Sequence, residues 1–259
     1  MSEIGSSVEH SADDISAAAR CPYVVVAKVT NNQDPKKLGR VKLEFPFWGD
    51  GVESAWARIA TPMAGEQVGV YFLPEVGDEV LVAFVHGDVR FPYVLGALWN
   101  GKAKPPETND DGKNHRRTIT SRSGQSVVFD DEPGKEAIAL RSKSGLEVAL
   151  SDVKDREQIE IRAKGRHLVR LSDDKARGRR IEIGDPDDGT QLVIDLDKRR
   201  IRIDSQQDIE LRAPNGVVRI QARDVEIEST AAIDVKAGAT LDIGSNAPMR
   251  LNAPLIDLN

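Results

Sequence analysis

IRIDSQQDIELRAPNGVVRIQARDVEIESTAAIDVKAGATLDIGSNAPMRLNAPLIDLN, residues 201–259, decides how this chain folds. Its apolar residues recur every eight positions: Ile201, Ile209, Val217, Val225, Ile233, Leu241 and Met249. Two places further on stand Ile203, Leu211, Arg219, Ile227, Val235, Ile243 and Leu251. Thirteen of these fourteen sites are apolar, and at Arg219 the flanking Val218 and Ile220 indicate a one-residue slip. Between the members of each pair lie mostly charged residues (Arg202, Glu210, Glu226, Asp234, Asp242, Arg250), which the alternation of a strand turns toward water. Small residues follow at Ser205, Ala213, Ser229, Ala237, Ser245 and Ala253, as a tight corner requires, with Gln221 in the same series.

Eight residues supply one strand and one corner, too little to close a coil alone. Burying two aliphatic side chains per octad gains about 3–6 kcal/mol, whereas ordering eight backbones costs about 8–16 kcal/mol. Partner chains must make up the difference through shared ladders and a shared core. The octads therefore predict an intertwined homotrimer, a triple-stranded β-helix over 201–259. The thirteen apolar octad residues form its core. Leu255, Ile256 and Leu258 carry the apolar pattern to its end.

Upstream the period is about 21 residues. SGQSVVFDDEPGKEAIALRSK, SGLEVALSDVKDREQIEIRAK and GRHLVRLSDDKARGRRIEIGD align, and apolar pairs recur at Ile138/Leu140, Ile159/Ile161, Ile181/Ile183 and Ile201/Ile203. Each unit reads as strand, charged turn, strand, so residues 118–200 are predicted β-hairpin repeats leading into the needle. Of twelve aromatic residues, eleven lie between Tyr23 and Trp99, and Phe129 is the last. The chain thus has two regions with different packing rules, joined by the linker 101–117, GKAKPPETNDDGKNHRR.

Residues 22–100 hold short β-rich runs between turn signals: YVVVAKV (23–29), RVKLEF (40–45), SAWARIA (54–60), VGVYFL (68–73), EVLVAFV (79–85) and PYVLGALW (92–99). Five or six such strands predict a small closed Greek-key barrel of the OB type. Gly77 and Asp78 are placed in a tight turn, Pro92 at the start of the last strand, Gly96 where a backbone passes close, and Asn100-Gly101 in a closing turn. Trp48, Trp56 and Trp99 are read as core or interface residues.

The runs GRVKLEFPFW, WARIATPMAG and GVYFLPEVGDEVLVAFVHGDVRFPYVLGALWNGKAKPP resemble the OB domain of the VgrG and phage-tail spike family, which includes baseplate assembly protein V of contractile phages. The resemblance implies an all-β homotrimeric needle, an OB barrel followed by a triple-stranded β-helix. The function it implies is that of the central spike of a contractile injection machine, which pierces the target envelope and meets the membrane only transiently. VgrG-type relatives carry a hub domain before the barrel, whereas about twenty polar, acidic residues precede Tyr23 here. A separate hub protein at the barrel end is therefore expected, with residues 1–21 as a flexible arm. No His follows His167 and no Cys follows Cys21, so a metal-bound point is not expected. Instead a PAAR-like tip protein is expected on Leu255, Ile256 and Leu258. Effector cargo is a further partner that the resemblance implies.

Other functions fit less well. With 36 basic and 42 acidic residues the formal charge is −6, against the basic patch of a nucleic-acid binder. No apolar run reaches the roughly 18 residues of a membrane helix. The first twenty residues lack the apolar block of a secretion signal, which disfavours an extracellular β-solenoid adhesin and fits assembly from the cytoplasm. His10, His86, His115 and His167 are not in metal-ligand spacing, and the acidic turns Asp130-Asp131-Glu132 and Asp173-Asp174 read as solvated. Cys21 reads as a small buried hydrophobe. GxSxG, GxxxxGK[ST] and HExxH are absent from the sequence, so no enzyme, cofactor or metal is expected.

Overall fold

The structure is a computed structural model that describes residues 23–49 and 51–256. The expectations for the arm 1–21, for His10 and Cys21, and for Leu258 lie outside the described residues. The fold is all-β.

The barrel is built on β1 (Val25–Asn31), β2 (Lys42–Glu44), β3 (Arg58–Ile59), β6 (Glu79–Phe84) and β7 (Pro92–Leu98). Their order is β2-β1-β6-β7-β3. Backbone bonds between Val41 and Ala57, at 3.0 and 2.8 Å, join the neighbourhoods of β2 and β3, so the sheet closes on itself. Strict alternation decides the inside: Val80, Val82 and Phe84 of β6 are buried while Glu79, Leu81 and Ala83 are half-buried. Ala27, Val29, Val41, Leu43, Phe45 and Val94 complete the core, and Trp48 packs edge-on against Phe45 at 4.6 Å.

The turn at Gly77 and Asp78 forms as the sequence predicts. The Asp78 carboxylate accepts the Glu75 N–H at 2.9 Å, and Gly77 donates to the Val29 carbonyl at 2.8 Å. Asn100 likewise closes the barrel, its Oδ1 accepting the N–H groups of Lys102 and Ala103 at 2.8 and 2.7 Å.

Several expectations are corrected. VGVYFL is not a barrel strand. Only Val68–Gly69 (β5) is extended, paired with Ala64–Gly65 (β4) in a small hairpin outside the barrel, because the ladder positions beside it are already filled. SAWARIA contributes just the two residues of β3 and an isolated bridge at Ala57, with a second bridge at Glu53 immediately before it. Trp99 is exposed, which removes the core alternative for it and leaves that of an interface.

Gly96 does not admit a passing backbone, since a Cβ built there meets none of the described residues within 4 Å. It sits at a bulge, where Leu81 faces Gly96 but Val82 faces Val94. Glycine inside a strand costs roughly 0.5–1 kcal/mol relative to alanine. Gly96→Ala is therefore expected to raise the melting temperature by roughly 2–4 °C, read by thermal circular dichroism; a fall would show that space at this position is in use.

From Arg116 onward nine strands form one antiparallel meander in chain order, from β8 (Arg116–Thr120) through β9 (Ser126–Asp130), β10 (Ala137–Arg141), β11 (Glu147–Ser151), β12 (Arg156–Arg162), β13 (Leu168–Asp174), β14 (Gly178–Asp185) and β15 (Thr190–Asp195) to β16 (Arg200–Asp204). The 21-residue unit is thus two strands and two turns. The linker is shorter than expected, because Arg116 and Arg117 already pair with Asp130 and Phe129. The matching turns SRSG and SKSG show why the unit repeats. Ser121 and Ser142 each accept the glycine N–H, and Gly124 and Gly145 stand at φ +86° and +90°, which favours glycine. Ile201 and Ile203 close this sheet on β16 instead of opening the needle, since the two periods coincide there.

Residues 207–256 belong to a second unit, which holds no strand among its described residues. Bends recur within it at 214–216, 223, 230–231, 238–239, 246–247 and 254. They fall just after the small residues at the ends of the octads. The step to 223 absorbs the slip at Val218–Ile220.

Candidate assembly face

The register of the meander sorts its side chains into straight rows across the strands. One row runs Ile119, Val127, Leu140, Val148, Ile161, Val169, Ile183, Leu192, Ile203. The next row on the same face runs Arg117, Phe129, Ile138, Leu150, Ile159, Leu171, Ile181, Ile194, Ile201. Seventeen of eighteen positions are apolar. With about 4.8 Å between strands the stripe extends about 38 Å.

None of these residues is buried in the single chain; Leu140 and Ile161 are each 51% exposed. A contiguous apolar surface of this size is far beyond what an isolated chain normally presents. Fully burying an aliphatic side chain gains about 1.5–3 kcal/mol, so covering the exposed half gains about 1 kcal/mol per residue. Over the two rows that is on the order of 15 kcal/mol per chain, comparable with or above the roughly 4–15 kcal/mol that association costs.

The opposite face inverts the usual rule. Its central row runs Thr118, Val128, Ala139, Ala149, Glu160, Arg170, Glu182, Val193, Arg202. Glu160 and Glu182 are 5% and 8% exposed. The pattern of alternation places them there, between the apolar pairs, but gives no hint that they are buried. Arg170 explains it. Its guanidinium reaches Glu160 across one strand boundary at 2.6 Å and Glu182 across the other at 3.1 Å. Arg162 also pairs with Glu160, and Arg180 lies 3.6 Å from Glu182 and 4.0 Å from Asp195. Most of the charges are paired within the sheet, with Arg180 Nε and Ser172 Oγ left without a partner among the described residues, so this face needs no other chain to neutralise it. The apolar face needs one to cover it.

The octad residues stand apart from one another in the second unit. Ile209, Leu211, Val217, Val225, Ile227, Ile233, Val235, Leu241, Ile243, Met249, Leu251, Leu255 and Ile256 are all exposed. No contact among them forms a core within one chain.

Elsewhere the surface chemistry is closed off by internal pairs. Arg40 and Lys42 lie over the Trp56 ring at 5.8 and 5.9 Å, the kind of cluster that stacks bases on other OB barrels. Arg40 is held by Asp34 at 2.7 Å and Lys42 by Glu53 at 2.8 Å. The Arg40 guanidinium keeps the Asp34 carboxyl well below the usual carboxylate range, and Lys42 lowers that of Glu53. Asp131 and Glu132 pair with Arg117 and Lys135, and Asp174 accepts the N–H groups of Ala176 and Arg177. No group of three metal-ligating residues occurs among the described residues, and no described helix is long and apolar enough to cross a membrane.

Comparison with known proteins places the barrel. Residues 25–99 match the type VI secretion system/phage-baseplate injector OB domain. The actin cross-linking toxin VgrG1 of Vibrio cholerae is 36% identical over 110 residues, 39% of this chain and 10% of the relative. The type VI secretion system spike protein VgrG3 of Vibrio cholerae is 32% identical over 111 residues, 40% of this chain and 11% of the relative. The type VI secretion system spike protein VgrG5 of Pseudomonas aeruginosa is 39% identical over 75 residues, 27% of this chain and 9% of the relative. The chain spans about a tenth of the length of these curated relatives. The match falls on the barrel strands, so what this chain shares with these relatives is the injector OB domain over residues 25–99.

Proposed function

We propose that this chain is the central spike of a contractile tail or injection machine, three copies of which share one apolar interior and pierce the target envelope when the sheath contracts. The observation that carries the reading is the unburied two-row stripe, which follows an injector OB domain and leads into octads that are just as exposed. In this reading three meander sheets turn their stripes toward one another. The eleven octad residues from Ile209 to Leu251 then fill a triple-stranded β-helix, continuing the shared interior that Ile201 and Ile203 reach from β16. The role is mechanical rather than catalytic: a closed ladder leaves no free internal edge and is stiff along its axis. The family resemblance supplies a baseplate hub as partner for the barrel, and a PAAR-like tip protein for Leu255, Ile256 and Leu258. An adhesin or a nucleic-acid binder would have no use for an injector barrel.

The test joins mass and position. The purified chain is expected at about 85 kDa under native conditions, three times its 28.3 kDa. Antibody-labelled particles are expected to carry it at the baseplate centre in electron micrographs. A monomer, or a label elsewhere on the particle, would overturn the proposal.

A further inference from the structure

The barrel turns an apolar face to water. Along β1, β6 and β7 the buried Ala27, Val80, Val82 and Val94 alternate with Val26, Leu81, Ala83, Tyr93 and Leu95, which point away from the core. The register lines these up across the strands. Ala83 faces Tyr93, Tyr93 faces Arg58, and Val24, just before β1, continues that row beside Ala83. Val26 and Leu81 face each other in the next row. Val24 and Val26 are 56% and 43% exposed. The first row ends in an open charge. Arg58 lies over the Tyr93 ring at 5.6 Å and donates to its hydroxyl at 3.4 Å, and no carboxylate pairs with it among the described residues.

Residues 11–22, SADDISAAARCP, lead through Tyr23 into this row at Val24. They cannot join the barrel as a strand beside β1, which is already paired on both sides, with β2 and β6. They can cover a face. The segment carries the signals of a short helix over 12–20: Ser11 as cap with Asp14 three places on, Asp13 and Asp14 in the first turn, Ala17, Ala18 and Ala19 within, Arg20 in the last turn and Pro22 beyond it. Ala12, Ile15, Ala18 and Ala19 fall on one side of it. A helix this short does not hold in water without a surface to pack on. Its length is about 14 Å, and the row from Val24 to Arg58 crosses three strand spacings, also about 14 Å.

We infer that residues 12–20 form a helix that seats Ile15 and its alanines on this face of the same chain's barrel. The end at Arg20 is tied to β1 through Val24, so the acidic first turn lies at the far end of the row. There Asp13 and Asp14 supply the carboxylates that Arg58 lacks. The chain thereby covers its own barrel face, instead of trailing residues 1–21 as a free arm.

Hydrogen exchange on the purified full-length protein tests the seat. The first four amides of a helix have no partner within it, so the reporters are those of residues 16–20. They are expected to exchange at least tenfold more slowly than in an unstructured chain. Arg58→Glu is expected to remove that protection and leave the amides of β6 unchanged, whereas Arg58→Lys keeps most of it. The photo-reactive residue benzoylphenylalanine in place of Ile15 is expected, on irradiation, to cross-link to the segments around Ala83 and Tyr93 within one chain. Unprotected amides in the parent would overturn the inference, and so would protection that survives Arg58→Glu. A cross-link to a second copy or to another baseplate protein would assign the segment to a different surface and overturn it too. None of these outcomes depends on how many copies assemble, so the trimer stands or falls separately.

Discussion

Ile161→Asp is expected to yield a folded chain of 28.3 kDa that no longer assembles. Ile161 lies mid-stripe between Val148 and Val169, with half its surface exposed in the single chain. Aspartate there costs the isolated sheet about 1 kcal/mol of strand preference, well within what a domain tolerates. In the assembly three carboxylates would enter one apolar interior. Each unpaired buried charge costs several kcal/mol, and like charges raise that cost further. The sum exceeds any surplus that covering the stripe provides. Light scattering is expected to show a complete shift from trimer to monomer, while the fluorescence of Trp48, packed on Phe45 in the barrel, stays native. Lys154→Glu, in an exposed turn, is the control and should assemble normally. If the aspartate variant remains a trimer, the stripe is not the buried face.

Much of this arrangement is legible in the sequence because it rests on periodicity. Aliphatic pairs such as Ile159/Ile161 and Ile181/Ile183, 22 residues apart, determine that two strands and two turns separate equivalent positions. The meander follows from that spacing. The OB barrel follows from alternation and turn residues, and the bends of the second unit fall beside the small residues of the octads. What periodicity leaves open is which contacts need three dimensions. VGVYFL is as apolar as a buried strand, and nothing local says that its ladder partners are taken. Gly96 announces a special backbone position but not whether it serves close approach or a bulge. Ile201 and Ile203 satisfy both periods, so only the register with Leu192 and Ile194 assigns them to the sheet. Glu160, Arg170 and Glu182 look like solvent-facing residues on three separate strands. Their meeting depends on an antiparallel register that brings residues 10 and 12 apart in sequence side by side.

That meeting sets the second large effect. Arg170→Ala is expected to destabilise the meander itself by about 3–5 kcal/mol, because it removes the one cation that both Glu160 and Glu182 share and leaves two buried carboxylates on either side of the gap in β13. Arg162 and Arg180 remain on the flanks, but each reaches only one of the pair. Arg170→Met/Glu160→Leu/Glu182→Met, which replaces the whole triad with apolar residues of similar volume, should recover most of the loss, since a buried ion pair gains little over good packing. Denaturant unfolding of the three proteins separates the explanations. If the single variant is as stable as the parent, the triad is not buried in solution. If the triple variant is no better than the single one, the triad contributes through its charges and not merely through their compensation. The outcome also bears on assembly. The charged face pairs most of its own charges within one chain whereas the stripe is covered by nothing in it, so in the proposed trimer the stripe is the face of this sheet that the copies share.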